Sequence, residues 1–207
     1  MPPDANGPHR AVAGVVLAAG SSTRMGANKL LIELDGEALV ARAVRRAAAA
    51  GLDPVVVVLG HESDRVERAL AGVPCCPVVN DRHRSGQGSS FRCGIAAVAE
   101  RASAAVVLLG DMPMVTADMI AAVMGLYRAT GAPLVLSEYS GVSAPPTLYD
   151  RSLFPEIAAG DGCGRQIVER HRGQARSVAW PAERLADIDE PGDLERLRAD
   201  ERCAPIS

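Results

Sequence analysis

Val12-Ala13-Gly14-Val15-Val16-Leu17-Ala18-Ala19-Gly20-Ser21-Ser22-Thr23-Arg24-Met25-Gly26-Ala27-Asn28-Lys29 is the stretch on which the fold turns. Its first part, Val12 to Leu17, is an unbroken apolar run of strand length, the pattern of a strand covered on both faces. Open α/β sheets bind ligands beyond the carboxyl ends of their strands, and Leu17 to Lys29 falls at that place. Gly20 and Gly26 let the backbone turn sharply and bring N–H groups close to phosphate oxygens. Arg24 and Lys29 add two cations within reach of the same anion. The segment is neither a Walker A loop nor a G-x-G-x-x-G fingerprint, which counts against a P-loop ATPase and a Rossmann dehydrogenase. A surface turn with solvated charges is the plainer alternative. Glycines, three hydroxyls and two cations crowded behind a buried strand weigh against it.

Outward from this stretch the same rhythm continues. Val55 to Leu59 and Ala104 to Leu109 are further buried-strand runs, and Pro133 to Leu136 resembles them more weakly. Between them, Ala38 to Ala50 predicts a helix closed by Gly51. Glu62 to Leu70, Ser90 to Arg101 and Ala117 to Ala129 are also helical in composition and spacing. Strand and helix alternating in this way predict a mostly parallel sheet with helices on both faces. In the last third, the Gly, Ser and Pro of Tyr139 to Pro146 predict a loop or lid. A short strand (Thr147 to Tyr149), helical pieces near Ser152 to Ala158 and Arg165 to His171, a strand at Ala175 to Trp180 and a helix at Asp193 to Arg198 come after it. There is no internal repeat. One domain over residues 11–200 is expected, between a disordered, Pro-rich lead (1–10) and a C-terminal tail (201–207).

The chain has 207 residues, of which 48% are hydrophobic and 23% charged, enough to bury a sizeable core and too few charges for wholesale disorder. Twenty-two basic against 25 acidic residues give a net charge of −3 without a concentrated basic face, which argues against nucleic acid as partner. Aromatics at 3% leave few platforms for base stacking. No apolar run reaches the ~18 residues of a membrane span, and residues 1–10 have no signal-peptide core. Five cysteines (Cys75, Cys76, Cys93, Cys163, Cys203) form no C-x-x-C pair, so a cytoplasmic setting is expected, with Cys163 and the Cys75-Cys76 pair in packing roles. Four scattered histidines suggest neither a zinc site nor a His-based triad.

Three further segments carry chemistry. In Val106-Val107-Leu108-Leu109-Gly110-Asp111-Met112-Pro113 a carboxylate emerges at the end of a buried strand, on the ligand edge of the sheet. Such an Asp suits Mg²⁺, which takes one or two carboxylates plus substrate phosphates; the alternative is that Asp111 caps the following turn. Asn80-Asp81 and then Ser85-Gly86-Gln87-Gly88-Ser89-Ser90 precede a helix whose N-terminus could hold an anion or a nucleoside, with simple helix capping as the alternative. In Asp187-Ile188-Asp189-Glu190, carboxylates at i and i+2 point the same way and could complete a metal site through Asp189, or cap the last helix.

Together these residues resemble the MobA-like NTP transferases, and within them the molybdenum cofactor cytidylyltransferases. L-A-A-G-x-S-x-R-M-G-x-x-K stands at Leu17 to Lys29, followed by Leu30-Leu31, and G-D-x-P at Gly110 to Pro113. Gly86 to Ser90 looks like the family's G-x-G-S-S stretch. Pro145 to Tyr149 with Arg151, Leu153 and Phe154 looks like its acceptor-side strand and helix. Gly160-Asp161-Gly162-Cys163-Gly164-Arg165 matches G-D-x-G-x-R with a Cys in a usually small position, and Asp187-Ile188-Asp189 matches D-I-D with Glu190 where a Thr is usual.

The resemblance implies a doubly wound sheet of the nucleotide-diphospho-sugar transferase kind that binds Mg-CTP. It implies attack by the phosphate of molybdopterin cofactor on the α-phosphorus, with pyrophosphate leaving and a molybdenum hydroxylase as recipient. Carried over residue by residue, Arg24, Lys29 and Asp111 are catalytic and Asp111 with Asp189 holds Mg²⁺. Leu17, Ala18, Ala19, Gly20, Asn80, Gly86, Gly88, Ser89, Ser90 and Arg165 contact substrate. Cytidylyl members carry L-A-A-G where guanylyl members carry L-A-G-G, so Ala19 points to cytosine. Rival expectations are GTP or another phosphorylated acceptor on the same fold, a MobA-like NAD(P)H-dependent oxidoreductase, and a non-catalytic cofactor chaperone.

Overall fold

The structure is a computed structural model and describes residues 11–20, 28–160 and 163–185. Its strands are β1 (Val12–Ala18), β2 (Glu33–Leu34), β3 (Glu37–Ala38), β4 (Val55–Leu59), β5 (Cys76–Val79), β6 (Ala104–Leu109), β7 (Leu134–Tyr139), β8 (Val142–Asp150) and β9 (Arg176–Trp180). Its helices are α1 (Leu39–Ala49), α2 (Ser63–Ala69), α3 (Gln87–Val98), α4 (Ala117–Thr130), α5 (Phe154–Ala159) and α6 (Gly164–His171).

Seven strands form one sheet in the order β5-β4-β1-β6-β8-β7-β9. β5, β4, β1 and β6 run parallel, β8 is antiparallel to both its neighbours, and β7 pairs parallel with β9. The continuous apolar runs result from this arrangement, because the central strands are covered on both sides. Val12 and Val16 of β1, Val55 and Val57 of β4 and Val106 and Leu108 of β6 pack under α1, α2 and α4. Their sequence neighbours Ala13, Val15, Val56, Val58, Ala105 and Val107 pack under α3, α5 and α6. The alternation is the period-2 strand pattern with apolar residues in both phases. The expected doubly wound sheet is therefore present.

Two glycines shape the layers, one by a close approach and one by ending a helix. A Cβ added to Gly94 of α3 would lie 2.3 Å from Val15 Cγ1 and 3.0 Å from Val58 Cγ2, so α3 sits nearer the sheet than any side chain there would permit. Gly51 follows α1 at φ +86°, the left-handed conformation that ends a helix at low cost.

Tyr139 to Pro146 is not the expected loop or lid. β7 runs to Tyr139, Ser140 and Gly141 make a two-residue turn with φ +48° and +89°, and β8 starts at Val142. Positive φ at both central residues is the hairpin turn that matches strand twist. Pro145 and Pro146 are accommodated because the β6 pairing of β8 begins at Thr147, and the β7 pairing is irregular between Val135 and Ser137. Side chains supply bonds there: Ser137 Oγ donates to the Pro146 carbonyl and Tyr139 Oη to that of Pro145, each at 2.8 Å. Sequence reasoning also passed over β5, whose Pro77 breaks the apolar run, as the edge of a sheet allows. Cys76 is exposed on that strand and is not the packing residue expected. The lead before residue 11, the helix expected at Asp193 to Arg198 and the tail lie outside the described residues.

Candidate functional site

β1, β4 and β6 end at one edge of the sheet, and the segments after them enclose a cleft of about 620 Å³. Leu17 to Gly20 form its floor, Lys29 and Asp111 one wall, and His61, His83, Arg84, Gly86, Gln87 and Ser90 the other. Leu30 and Leu109 complete the lining.

Lys29 opens a 3-10 turn, Lys29–Leu31, in which Asn28 Oδ1 accepts from the Leu30 amide at 3.2 Å. Asp111 follows β6 across Gly110, whose amide donates to the Leu17 carbonyl at 3.1 Å. A Cβ on Gly110 would meet Leu30 Cδ2 at 2.9 Å, so a glycine there lets the two turns approach. The result is an ion pair: Lys29 Nζ lies 2.5 Å from Asp111 Oδ2, the side chains 19% and 17% exposed. Farther on, Thr116 Oγ1 accepts from Met119 N at 3.3 Å and caps α4. Arg46 of α1 braces the segment after Asp111, donating to the carbonyls of Pro113 and, at 2.8 Å, Val115.

The Asn80 to Ser90 segment divides into wall and support. Gly86 stands at φ +98°, ψ 171°, a backbone shape open to glycine, and lines the cleft with Gln87 and Ser90. Buried Asn80 donates from Nδ2 to the hydroxyls of Ser89 and Ser90, each at 2.9 Å, and accepts the Arg82 amide on Oδ1 at 3.0 Å. The Ser89 hydroxyl lies 2.9 Å from the Arg82 carbonyl and 2.8 Å from that of Gly86. Asn80 and Ser89 thus tie the turn after β5 to the start of α3, and neither they nor Gly88 belong to the lining.

Three lining residues, His61, His83 and Arg84, lie outside the segments that the sequence singles out for chemistry. His61 follows β4 and His83 and Arg84 follow β5, so the parallel order brings them to the edge reached by β1. The signal was available in position after a strand, but β5 was unread. His83 Nδ1 is 3.1 Å from the Asn80 carbonyl. A Cβ on Gly60 would stand 2.7 Å from His83 Cβ and 2.8 Å from Ala19 Cβ, so the bare Gly60 backbone is what lets those side chains flank the cleft.

A second cleft of about 590 Å³ adjoins the first and shares Leu17, Gln87 and Leu109 with it. The Val142–Pro145 part of β8, which pairs with β7 but not with β6, the rings of Phe91 and Tyr149 and the first turns of α6 line it. Arg165 is here, 84% exposed and paired with Glu169 at 3.1 Å. Arg24 and Asp189 lie outside the described residues. Among the described residues no cluster of three or more Asp, Glu, His or Cys could cage a metal. Asp111 alone suits an ion that arrives with substrate phosphates. Burial pushes the thiols of Cys75 and Cys93 up, which leaves neither an activated nucleophile. No helix among the described residues is long and apolar enough to cross a membrane.

A doubly wound sheet with Gly20, Lys29 and Asp111 at its carboxyl edge is the arrangement of the nucleotidyltransferase class. The chain belongs to the MobA-like NTP transferase family, whose domain matches residues 14–175. It is 31% identical over 198 residues to the purine catabolism protein PucB of Bacillus subtilis (strain 168), covering 89% of this chain and 95% of that one. It is 34% identical over 170 residues to the bifunctional protein GlmU of Kineococcus radiotolerans, and the match spans 80% of this chain but 33% of that longer protein. Among solved structures, Rv0371c of Mycobacterium tuberculosis H37Rv superposes with a TM-score of 0.79 at 27% identity, covering 91% of this chain and 97% of that one. The same mycobacterial protein has also been solved as a complex with manganese.

Proposed function

We propose that this nucleotidyltransferase moves CMP from Mg-CTP to the phosphate of a molybdopterin-type cofactor and releases pyrophosphate. The observation that carries the reading is the Lys29–Asp111 pair in a cleft that opens into a second one, a donor site and an acceptor site side by side.

Nucleotidyl transfer asks a protein chiefly for positioning and charge neutralisation. An acceptor phosphate oxygen forms a bond to the α-phosphorus, and the bond from that phosphorus to the oxygen bridging toward the β-phosphate breaks. No side chain need take a proton from the nucleophile, because a phosphomonoester is ionised near neutral pH (second pKa about 6). Asp111, with Asp189, would hold Mg²⁺, which supplies charge neutralisation on the triphosphate when bound. Lys29 and Arg24 balance the charge of the departing pyrophosphate. Gly20 and Ser90 face the nucleotide from floor and wall, and Gly86 leaves its backbone open to it. Asn80 and Ser89 hold that wall, and Gly88 lies in its first turn. Ala19 narrows the floor against a purine, which favours cytosine. Arg165 meets the acceptor in the second cleft. A molybdenum hydroxylase would receive the product.

The test is a turnover assay with Mg²⁺ and molybdopterin cofactor and CTP, GTP or ATP in parallel, monitoring pyrophosphate release. Release with CTP alone is the expected result. Release with GTP would keep the chemistry and overturn the reading of Ala19. Silence with all three nucleotides in the folded protein would overturn the acceptor assignment.

A further inference from the structure

α6 begins against β8 with no side chain between them. A Cβ on Gly164 would stand 2.7 Å from the Tyr149 hydroxyl oxygen and 3.8 Å from Phe91 Cζ, so a glycine at this position leaves room for the phenol. The Tyr149 ring is 3% exposed and packs on Phe91 with centroids 5.1 Å apart and planes tilted by 55°. Its hydroxyl makes no hydrogen bond among the described residues, although the residue lines the second cleft. The hydroxyl is the polar end of an otherwise buried ring, and a partner for it has to come from the cleft.

The helix offers the complementary half. Cys163 caps α6 without a side-chain hydrogen bond, and the turn's own bond starts from Gln166 N, which donates to the Cys163 carbonyl at 3.1 Å. The amides of Gly164 and Arg165 are therefore first-turn donors of a helix N-terminus, where negative charge is favoured. The nearby cleft wall of Phe91, Ala144, Pro145 and Val168 is apolar.

We propose that the Tyr149 hydroxyl and the first turn of α6 form an oxyanion subsite, which binds the phosphomonoester of an acceptor whose body lies on the apolar wall. The inference rests on the nucleotidyl-transfer reading for the identity of the ligand and on this geometry for the site. Burial, with the Cys163 thiol beside it, pushes the Tyr149 phenol well above its ordinary range, so it serves as a donor at any working pH.

The probe is inorganic phosphate, titrated into the isotope-labelled full chain without nucleotide or metal and monitored at backbone amides. Saturable shifts at Gly164 and Arg165 are expected. Tyr149→Phe keeps the ring and should weaken that binding about ten-fold or more, the loss of one hydrogen bond to a charged group. Gly164→Ala, whose methyl presses on the hydroxyl, should weaken it as well. Unmoved α6 amides, or equal affinity in wild type and Tyr149→Phe, would overturn the subsite. In turnover, Tyr149→Phe should raise KM for the phosphorylated acceptor by a similar factor with KM for the nucleotide unchanged; an unchanged acceptor KM would also overturn it. Phosphate binding requires no turnover, so a protein that binds phosphate at α6 yet transfers no nucleotide would count against the CMP-transfer reading and leave the subsite standing.

Discussion

Lys29 and Asp111 are far apart in the chain, yet Lys29 Nζ and Asp111 Oδ2 meet at 2.5 Å. The pairing is a product of topology. β1 and β6 are parallel neighbours, so the turns at their carboxyl ends emerge at the same edge, and Gly110 allows the two turns to close on one another. In the free protein each charge satisfies the other. Under the proposed function, a nucleoside triphosphate with its cation would give each of them a stronger partner.

Asp111→Ala should lower kcat/KM for nucleotidyl transfer by roughly 100-fold or more, the scale of about 3 kcal/mol for a preorganised charge partner. Stability should change little, since partly exposed ion pairs contribute about 0–1 kcal/mol. Lys29→Ala should also slow transfer, and the double variant should lose less than the two single losses added together, because the groups share one task. Rates of pyrophosphate release and thermal melts of the variants decide this. Near-normal turnover in Asp111→Ala would remove the metal role from this residue.

Ala19→Gly should relax the choice of base. Ala19 lines the cleft with its Cβ beside the Gly60 backbone, and under the proposed function removing its methyl would give the base more room. One methylene-sized difference is worth about 1–3 kcal/mol in a pocket, so the ratio of CTP to GTP kcat/KM should fall about ten-fold. Competition between the two nucleotides measures it. An unchanged ratio would place base selection elsewhere on the wall, with His61 and His83 the next residues to vary.

Much of the architecture was legible because the central strands are covered on both faces. Val55–Leu59 and Ala104–Leu109 have the bounds the apolar runs predict, and Val12–Ala18 is one residue longer. Legibility failed where composition and geometry disagree. Ser140-Gly141 and the two prolines have loop composition, but a tight turn and the pairing of Ser137–Tyr139 with Val142–Ala144 make them part of a hairpin. In the candidate site, Lys29 and Asp111 were readable as charged residues behind buried runs. His61 and His83 were not, since scattered histidines become neighbours of a cleft only once β4 and β5 are placed in order. Asn80 and Ser89 show the opposite case. Their polar chemistry was visible in the sequence, but its use in bracing α3 depends on partners that spacing alone does not give.

Gly94→Ala should destabilise the fold without touching the cleft. The new methyl would sit 2.3 Å from Val15 Cγ1 and has Val58 Cγ2 at 3.0 Å on the same side, so either α3 or the sheet must give way. Both valines are fully buried, and overpacking of this kind costs about 1–3 kcal/mol or more. A fall of several degrees in Tm, with the nucleotide KM of the folded fraction unchanged, is the expected outcome. A melt equal to that of the wild type would mean that α3 can ride outward freely.

Tyr127→Phe should remove part of the alkaline fall in stability. Tyr127 of α4 donates to Asp150 Oδ2 at 2.7 Å, and the other carboxylate oxygen accepts from Ser152 N at 2.8 Å. Burial first, and then the Asp150 carboxylate, pushes the Tyr127 phenol up from 10 to about 12. The unfolded chain therefore releases this proton near pH 10 while the folded chain keeps it to about pH 12. More protons on the folded state means that stability falls as pH rises across that window, and the contribution is complete below it. At neutral pH the variant should be less stable by about 1.5–3 kcal/mol, the usual net worth of a hydrogen bond to a charged group. As pH climbs through the window the gap should close, because the wild type loses what the variant never had. Tyr149 is also pushed up by burial, but it is common to both proteins and cancels in the comparison. Denaturant unfolding at a series of alkaline pH values gives the two curves. Curves that stay parallel through the window would show that the Tyr127 proton is not held by the fold.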